Sequence, residues 1–521
     1  VQEVEHWGDP FMALRLPVTS SISMSQTLTP TLTPLKQVSP MWSSVTSFTA
    51  TAAAFLGLKS PRWSKTGIPT WNSRTINLDY DEKILQQQFA SAIQGATFQR
   101  QHLVMLAAGF CSFFSLGALN DPVGLAFPGF QEEWGPLAPN ALAAAASCST
   151  LGQTVALLMA GSLADRLGRR TVARLGTLLG LCGVLTCFSA PSLQALSMGR
   201  FMGGFGLGAT LVALPTLLTE CFPQSHSRLL VTYQCAWPLA AFCYAIWMQR
   251  FGWRAATGAS LPVLAALLVL TALLAESPRN LLARGHLREA EKQLKRLGAN
   301  LNERRDSSEE VVKASGITAN WRLYLRFLVC FFLCGMASQL VKVWLPTIMS
   351  RFGRSGGSGG AFVLMWGVEA VGIISMALMF GGQTTSKKEP VSTALEGQLR
   401  VCCLSFFLAC NCVMAILEVE NLSVIGVLGG VHLVSQAAAF NFLFPFASST
   451  FEPAVRGRLV AGLLLASQVG CFVGPLVGSA ILQASTGPFS GTVSLCTAGA
   501  AYFIGSMLVR GLMRRLAGRK R

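Results

Sequence analysis

From Leu103 onward the chain is a succession of apolar blocks of about 20 residues, separated by short polar or charged breaks. A helix of that length crosses a hydrocarbon core of roughly 30 Å, and in lipid only helices and closed barrels satisfy every backbone polar group. The short alternating strands of a barrel do not occur. The pattern therefore predicts an all-α membrane protein with twelve spans, at about 103–127, 140–161, 172–190, 193–216, 229–249, 256–275, 323–348, 360–380, 400–418, 422–447, 459–482 and 489–510.

The longest break, roughly 277–320, divides the spans into six and six. Within it Leu287, Ala290, Leu294 and Leu297 recur at helical spacing before Gly298, which predicts one or two amphipathic surface helices. Residues 1–100 differ: they are rich in Ser, Thr and Pro, and no Asp or Glu lies between Phe11 and Asn77. Such a composition is expected to stay disordered. Acid-poor, basic, hydroxyl-rich N-termini also resemble organelle transit peptides; the alternative is a plain cytosolic tail or a gene-model extension. The expected domains are 1–100, a first half 101–276, a linker 277–320, a second half 321–510 and a basic tail 511–521.

Composition sharpens this picture. The chain is 51% hydrophobic and 12% charged with mean hydropathy +0.48, against roughly 25% charge in soluble proteins. A soluble globular fold is excluded. The net charge of +17 sits in short runs between apolar blocks and at the C-terminus, without aromatic interleaving, so nucleic acid is not an expected partner. One side of the spans collects Arg166, Arg169, Arg170, Arg174, Arg228, the linker, Lys387, Lys388, Arg456, Arg458 and the C-terminal tail. That side is expected to be cytoplasmic, with both termini inside. The 15 cysteines lie mostly in apolar blocks without metal-ligand spacing and read as small buried hydrophobes. No metal, cofactor, Walker motif or nucleophile with its base is found, so neither an enzyme nor an ATP-driven pump is expected. Asn421-Leu422-Ser423 is a glycosylation sequon, expected to go unused in so short a loop.

The loop between spans two and three reads Gly161-Ser162-Leu163-Ala164-Asp165-Arg166-Leu167-Gly168-Arg169-Arg170. It resembles the signature loop of the major facilitator superfamily. Gly161 is expected to permit close helix approach and Gly168 a tight turn. Arg200 to Gly208 resembles the family's fourth-helix motif, and Glu220-Cys221-Phe222-Pro223 with Arg228 the element after it. Glu276-Ser277-Pro278-Arg279, then Gly285 and Glu289-Ala290, resembles the central loop of the sugar-porter, organic-ion and synaptic-vesicle-type branch. The resemblance implies two six-helix halves that alternate access, with Asp165, Arg166 and Arg170 latching them in the outward-open state.

In the second half, Phe451-Glu452-Pro453-Ala454-Val455-Arg456 echoes the Glu220 element with its acid displaced, and Gly381 to Lys388 lacks the Asp and Arg pair of a second signature loop. The glycine-rich element of drug antiporters is absent from span five, which reads Gln234-Cys235-Ala236-Trp237-Pro238; a similar run at Gly470 to Pro475 is expected to serve packing.

Polar groups at the membrane midplane are costly enough to mark function. The candidates are Asp121, Arg200, Gln234, Gln339, Lys342, Glu369, His432, Gln436, Asn441 and Gln468. Asp121 stands as an acid does in the first helix of proton-coupled relatives; the alternative is an acid near the outer mouth. Glu369 reads as a proton-carrying carboxyl or as the partner of a buried cation. His432 reads as a titrating group or as a structural residue. Lys342 reads as a carboxylate binder, or as a snorkelling cation beside Trp344 and Pro346. Arg200 is most often structural in the family's motif, and Trp237, Trp247 and Trp366 line the cavity or sit at interfaces.

Together these features predict a proton-coupled importer of a small organic acid or organic ion, in the plasma membrane or an organelle membrane such as a plastid or mitochondrial envelope. The alternatives are a carrier for sugars or other neutral solutes, although only Gln339 stands where sugar porters usually show a Gln pair, or a transporter-like nutrient sensor.

Overall fold

A computed structural model describes residues 85, 88–89, 91–223, 226, 229–299, 321–353, 358–380, 391–450, 453–484 and 488–518. All belong to one compact unit, Asn77–Arg521. Every regular element among them is helical. The first half holds α1 (Arg100–Asn120), a 3-10 segment (Asp121–Ala126), α2 (Phe127–Trp134), α3 (Pro139–Leu167), α4 (Arg169–Phe188), α5 (Leu193–Cys221), α6 (Ala236–Gly258) and α7 (Leu261–Leu273). The linker carries α8 (Pro278–Ala283) and α9 (Leu287–Arg296). The second half holds α10 (Trp321–Arg351), α11 (Ser358–Phe380), α12 (Val391–Glu418), α13 (Leu422–Thr450), α14 (Pro453–Ala484) and α15 (Pro488–Gly518).

Among the described residues, eleven stretches are long and apolar enough to cross a membrane. One of them, Tyr233–Leu273, has 41 residues, about twice what a single crossing needs. It doubles back at Gly252, whose φ of 80° a side chain would resist. The reversal brings Tyr244 Oη within 3.2 Å of Thr257 Oγ1, two groups that a straight helix would hold about 20 Å apart. Counting this stretch as two crossings accords with the expected twelve. The first span differs from expectation in being broken: Pro122 and Pro128 remove amide donors, so α1 stops at Asn120 and a 3-10 segment intervenes.

Leu158, Leu175, Val269, Leu404, Phe407 and Phe503 lie exposed, as side chains facing lipid must. One apolar core joins first-half residues such as Met105, Val184, Leu214 and Leu267. A second runs through Phe331, Phe406, Leu433 and Tyr502 of the second half and takes in Val123, Phe127, Phe130 and Trp253 of the first. The halves are thus packed together at the end of the spans that carries α2. There Phe127 meets Trp344 at 5.4 Å between ring centroids, Ser147 Oγ donates to the Phe472 carbonyl at 2.9 Å, and Gln249 donates to the Gly359 carbonyl. At the opposite end, which carries the Leu167–Arg169 loop, α11 touches the turn Leu229–Cys235.

The linker helices form a small body of their own. Ala290 and Leu294 of α9 and Leu281 and Leu282 of α8 pack on Phe89, Ile93 and Ala96, which precede the first span. The disorder expected through residue 100 is not found at Phe89, Ile93 and Ala96, because these three apolar side chains have a partner surface. Asn421 has a local role: its Oδ1 accepts from the Ser423 amide at 2.9 Å where α13 begins.

Candidate functional site

Asp121 stands where α1 gives way to the 3-10 segment, and its side chain is fully buried. The segment approaches α10 so closely at Gly124 that a Cβ there would collide with the Val343 carbonyl. That contact presents Gln339 and Lys342, one helical turn apart, to the carboxylate. Lys342 Nζ lies 2.8 Å from Asp121 Oδ2, Gln339 Nε2 donates to Oδ1 at 3.4 Å, and Trp237 Nε1 of α6 donates to Oδ2 at 2.6 Å. Lys342 Nζ also sits 5.5 Å from the centre of the Trp366 ring. One turn beyond Trp366, Glu369 is buried, and its Oε2 has no hydrogen-bond partner. Lys342 interacts electrostatically with both carboxyls.

Lys342 therefore does not snorkel to an interface, and Asp121 does not lie at an open mouth. Burying an ion pair costs several kcal/mol per ion in desolvation, offset only when the geometry is good and further hydrogen bonds satisfy the charges. Three donors on one carboxylate meet that condition. The cluster holds two carboxyls and one ammonium, so it is electrically neutral only when one carboxyl carries a proton.

The remaining candidates fall elsewhere. Arg200 is buried, and its guanidinium donates to the carbonyls of Ala145, Leu119 and Ala146 at 2.9, 2.7 and 3.3 Å, which fastens α5 to α3 and to the end of α1. It is a structural bolt. Gln234 is half-buried in the turn Tyr233–Cys235, ahead of Trp237. His432 is fully buried inside the second half, 5.2 Å from the Tyr502 ring, with no well-formed hydrogen bond to either ring nitrogen. Gln436 Nε2 reaches Cys334 Sγ at 3.6 Å, Gln468 Oε1 is unpartnered, and Asn441 is exposed. Of the tryptophans, Trp237 and Trp366 join the cluster, whereas Trp247 is exposed.

Sequence reasoning missed a neighbouring polar knot. Asn120 Oδ1 accepts from Gln153 Nε2 at 2.9 Å and from Ser149, all three buried. Their signal was available, since an amide in each of two apolar blocks asks for a partner.

The sequence profile described as Major Facilitator Superfamily matches residues 105–475, well over half of the chain. The chain belongs to the major facilitator superfamily. Within the superfamily it is similar to the gallate transporter of Pseudomonas putida, 26% identical over 395 residues that cover 70% of this chain and 82% of that one. It is also similar to the 4-hydroxybenzoate transporter PcaK of Pseudomonas aeruginosa, 25% identical over 464 residues covering 83% and 97%. Among solved structures, the partially occluded inward-open xylose transporter XylE from E. coli matches with a TM-score of 0.57 at 13% identity, covering 77% of this chain and 97% of that one.

The superfamily's signature loop has a defined geometry here. Gly168, at φ +100°, separates α3 from α4, and a Cβ there would meet the Glu276 carboxylate at 2.6 Å. Glu276 Oε1 and Oε2 accept from the Arg169 and Arg170 amides at 3.0 Å each, so an anion caps the N-terminus of α4. The Arg169 guanidinium bridges Asp165 at 3.2 Å and Glu220 at 3.1 Å. Arg170 and Arg174 donate to the Ala272 carbonyl, at 2.6 and 3.0 Å, in the last turn of α7. Arg166 is exposed.

All of these partners belong to the first half, so with the halves packed at the α2 end the loop ties α3, α4, α5 and α7 to one another. The expectation for Gly161 is corrected: among the described residues nothing lies within 4 Å of a Cβ built there, so close approach is not its reason. Arg228 and the run Gly381 to Lys388 lie outside the described residues, as do the side chains of the Pro453 to Arg456 run.

Glu276 was legible as part of a motif but not as a cap. Glu276→Ala removes these two charge-assisted hydrogen bonds and a third from the Ser277 amide, and is expected to cost about 2 kcal/mol, read as a fall in the thermal unfolding midpoint in detergent. Asp165→Asn should change stability by less than about 1 kcal/mol, because the Asp165 side chain is 71% exposed and Arg169 keeps Glu220.

Proposed function

We propose that the chain imports a small organic anion together with a proton by alternating access, and that Asp121, Lys342 and Glu369 are where solute and proton meet. The observation that carries this reading is the buried contact of Lys342 Nζ with Asp121 Oδ2 between the two halves. A carboxylate solute that takes over the Lys342 ammonium leaves Asp121 buried without its cation, and an unpaired carboxylate in low dielectric is far costlier than a protonated one. Solute binding and proton binding thereby become one event. Release follows when the halves part and water reaches the cluster, since only differential binding to the two states can drive the cycle.

The Trp237 and Trp366 rings beside Lys342 favour a planar or aromatic carboxylate, and the similarity to gallate and 4-hydroxybenzoate transporters supports the same class. We place the signature loop, the linker and both termini on the cytoplasmic side from the excess of Lys and Arg there, so the end closed by α2 is the outer one. The membrane is the plasma membrane or an organelle envelope, the latter if residues 1–100 act as a transit signal.

The test is uptake by proteoliposomes offered labelled benzoates, aliphatic carboxylates, hexoses and organic cations. With the outside more acidic than the inside, a carboxylate should accumulate and a protonophore should abolish the accumulation. Equal uptake with and without the gradient, or accumulation of hexose alone, would overturn the reading in favour of a neutral-solute carrier.

A further inference from the structure

Helix α9 buries Ala290 and Leu294 against Phe89 and Ile93. Its other face presents Arg288, Lys292, Lys295 and Arg296, all exposed and spaced i, i+4, i+7 and i+8, around an open hollow of about 460 Å³ that Glu291 also borders. Like charges one turn apart repel. Among the described residues no carboxylate pairs with any of the four. Packing does not need the charge either, since the buried face alone holds the helix in place.

The position of this row selects its counter-charge. Arg296 interacts electrostatically with Arg170, whose guanidinium bonds the Ala272 carbonyl in the last turn of α7, where a span ends. Arg174 reaches the same carbonyl. The C-terminal end of α9 thus lies near the end of the α7 span.

We propose that this face of α9 is a docking surface for the phosphate headgroups of anionic phospholipids in the leaflet around the signature-loop end of the bundle. Clusters of basic side chains next to a span end match such headgroups in sign and in place. The proposal needs only that the chain spans a bilayer, and it stands apart from the role assigned to Asp121 and Lys342.

The full chain is reconstituted in bilayers of phosphatidylcholine mixed with phosphatidylglycerol, and the lipids retained on extraction are identified by native mass spectrometry. The wild type should retain phosphatidylglycerol over phosphatidylcholine by roughly tenfold, a preference that weakens with salt. The quadruple variant Arg288→Gln, Lys292→Gln, Lys295→Gln, Arg296→Gln should lose it, while Arg288→Lys with Arg296→Lys should keep it. Equal retention by the wild type and the quadruple variant would overturn the proposal. So would displacement of phosphatidylglycerol by inositol hexakisphosphate at equal concentration, which would mark a site for a soluble polyanion.

Discussion

Asp121→Asn is expected to abolish accumulation of the anionic solute while solute exchange across the membrane persists. Asparagine keeps the size of the side chain and can still accept from Trp237 Nε1, so the packing of the 3-10 segment against α10 survives. What disappears is the carboxyl that exchanges Lys342 for a proton, and Glu369 remains as the ammonium's only anionic neighbour in the cluster. Lys342→Met should be the harsher change, because it strands Asp121 without its cation; removing one partner of a buried pair costs about 3–5 kcal/mol. Combining Asp121→Asn with Lys342→Met removes both charges and should recover most of that stability without restoring transport. Unfolding midpoints in detergent, read beside counterflow and accumulation, separate these outcomes. Wild-type accumulation by Asp121→Asn would sink the assignment.

Gly124→Ala should hold the transporter open at the end where the structure is closed. The backbone at Gly124 meets the Val343 carbonyl with no room for a methyl group, and this contact joins one half to the other. Overpacking typically costs 1–3 kcal/mol, and here it falls on one conformational state alone. A bias of that size shifts the population by roughly five- to a hundredfold, because each 1.4 kcal/mol is a factor of ten. Turnover should fall by about as much, while solute still binds from the α2 side. Distances between spectroscopic labels on unnatural residues at Gln131 and Ser350, both exposed at that end, should lengthen in the variant. An unchanged distance distribution with normal turnover would show that the contact does not gate.

Much of the fold was legible because the bilayer dictates it. Length and polarity of each apolar block locate a span without reference to any other block, which is why the separation of 229–249 from 256–275 could be read although only the positive φ of Gly252 divides them in space. The break in the first span was less visible, since Pro122 and Pro128 each permit a kinked helix as readily as a 3-10 segment. Asp121, Gln339, Lys342 and Glu369 announced themselves as polar residues in apolar surroundings. Their meeting did not, because the register of α10 against the end of α1 is set by a contact at Gly124 that no periodicity records. Trp237 looked like any membrane tryptophan until its indole nitrogen was found on Asp121. Arg200 and His432 carried the same signal as Lys342, yet one binds carbonyls and the other faces Tyr502. Polarity in a membrane helix reveals that a partner exists but not which one.

The central claim is that the anion and the proton bind at one cluster. It is tested most directly by adding a transported carboxylate to the purified chain in weakly buffered detergent and following the pH. Linked binding predicts uptake of about one proton per chain when the wild type binds solute, and none when the double variant Asp121→Asn with Glu369→Gln does. Solute binding by the wild type with no change in pH, or equal proton uptake by the variant, would contradict it.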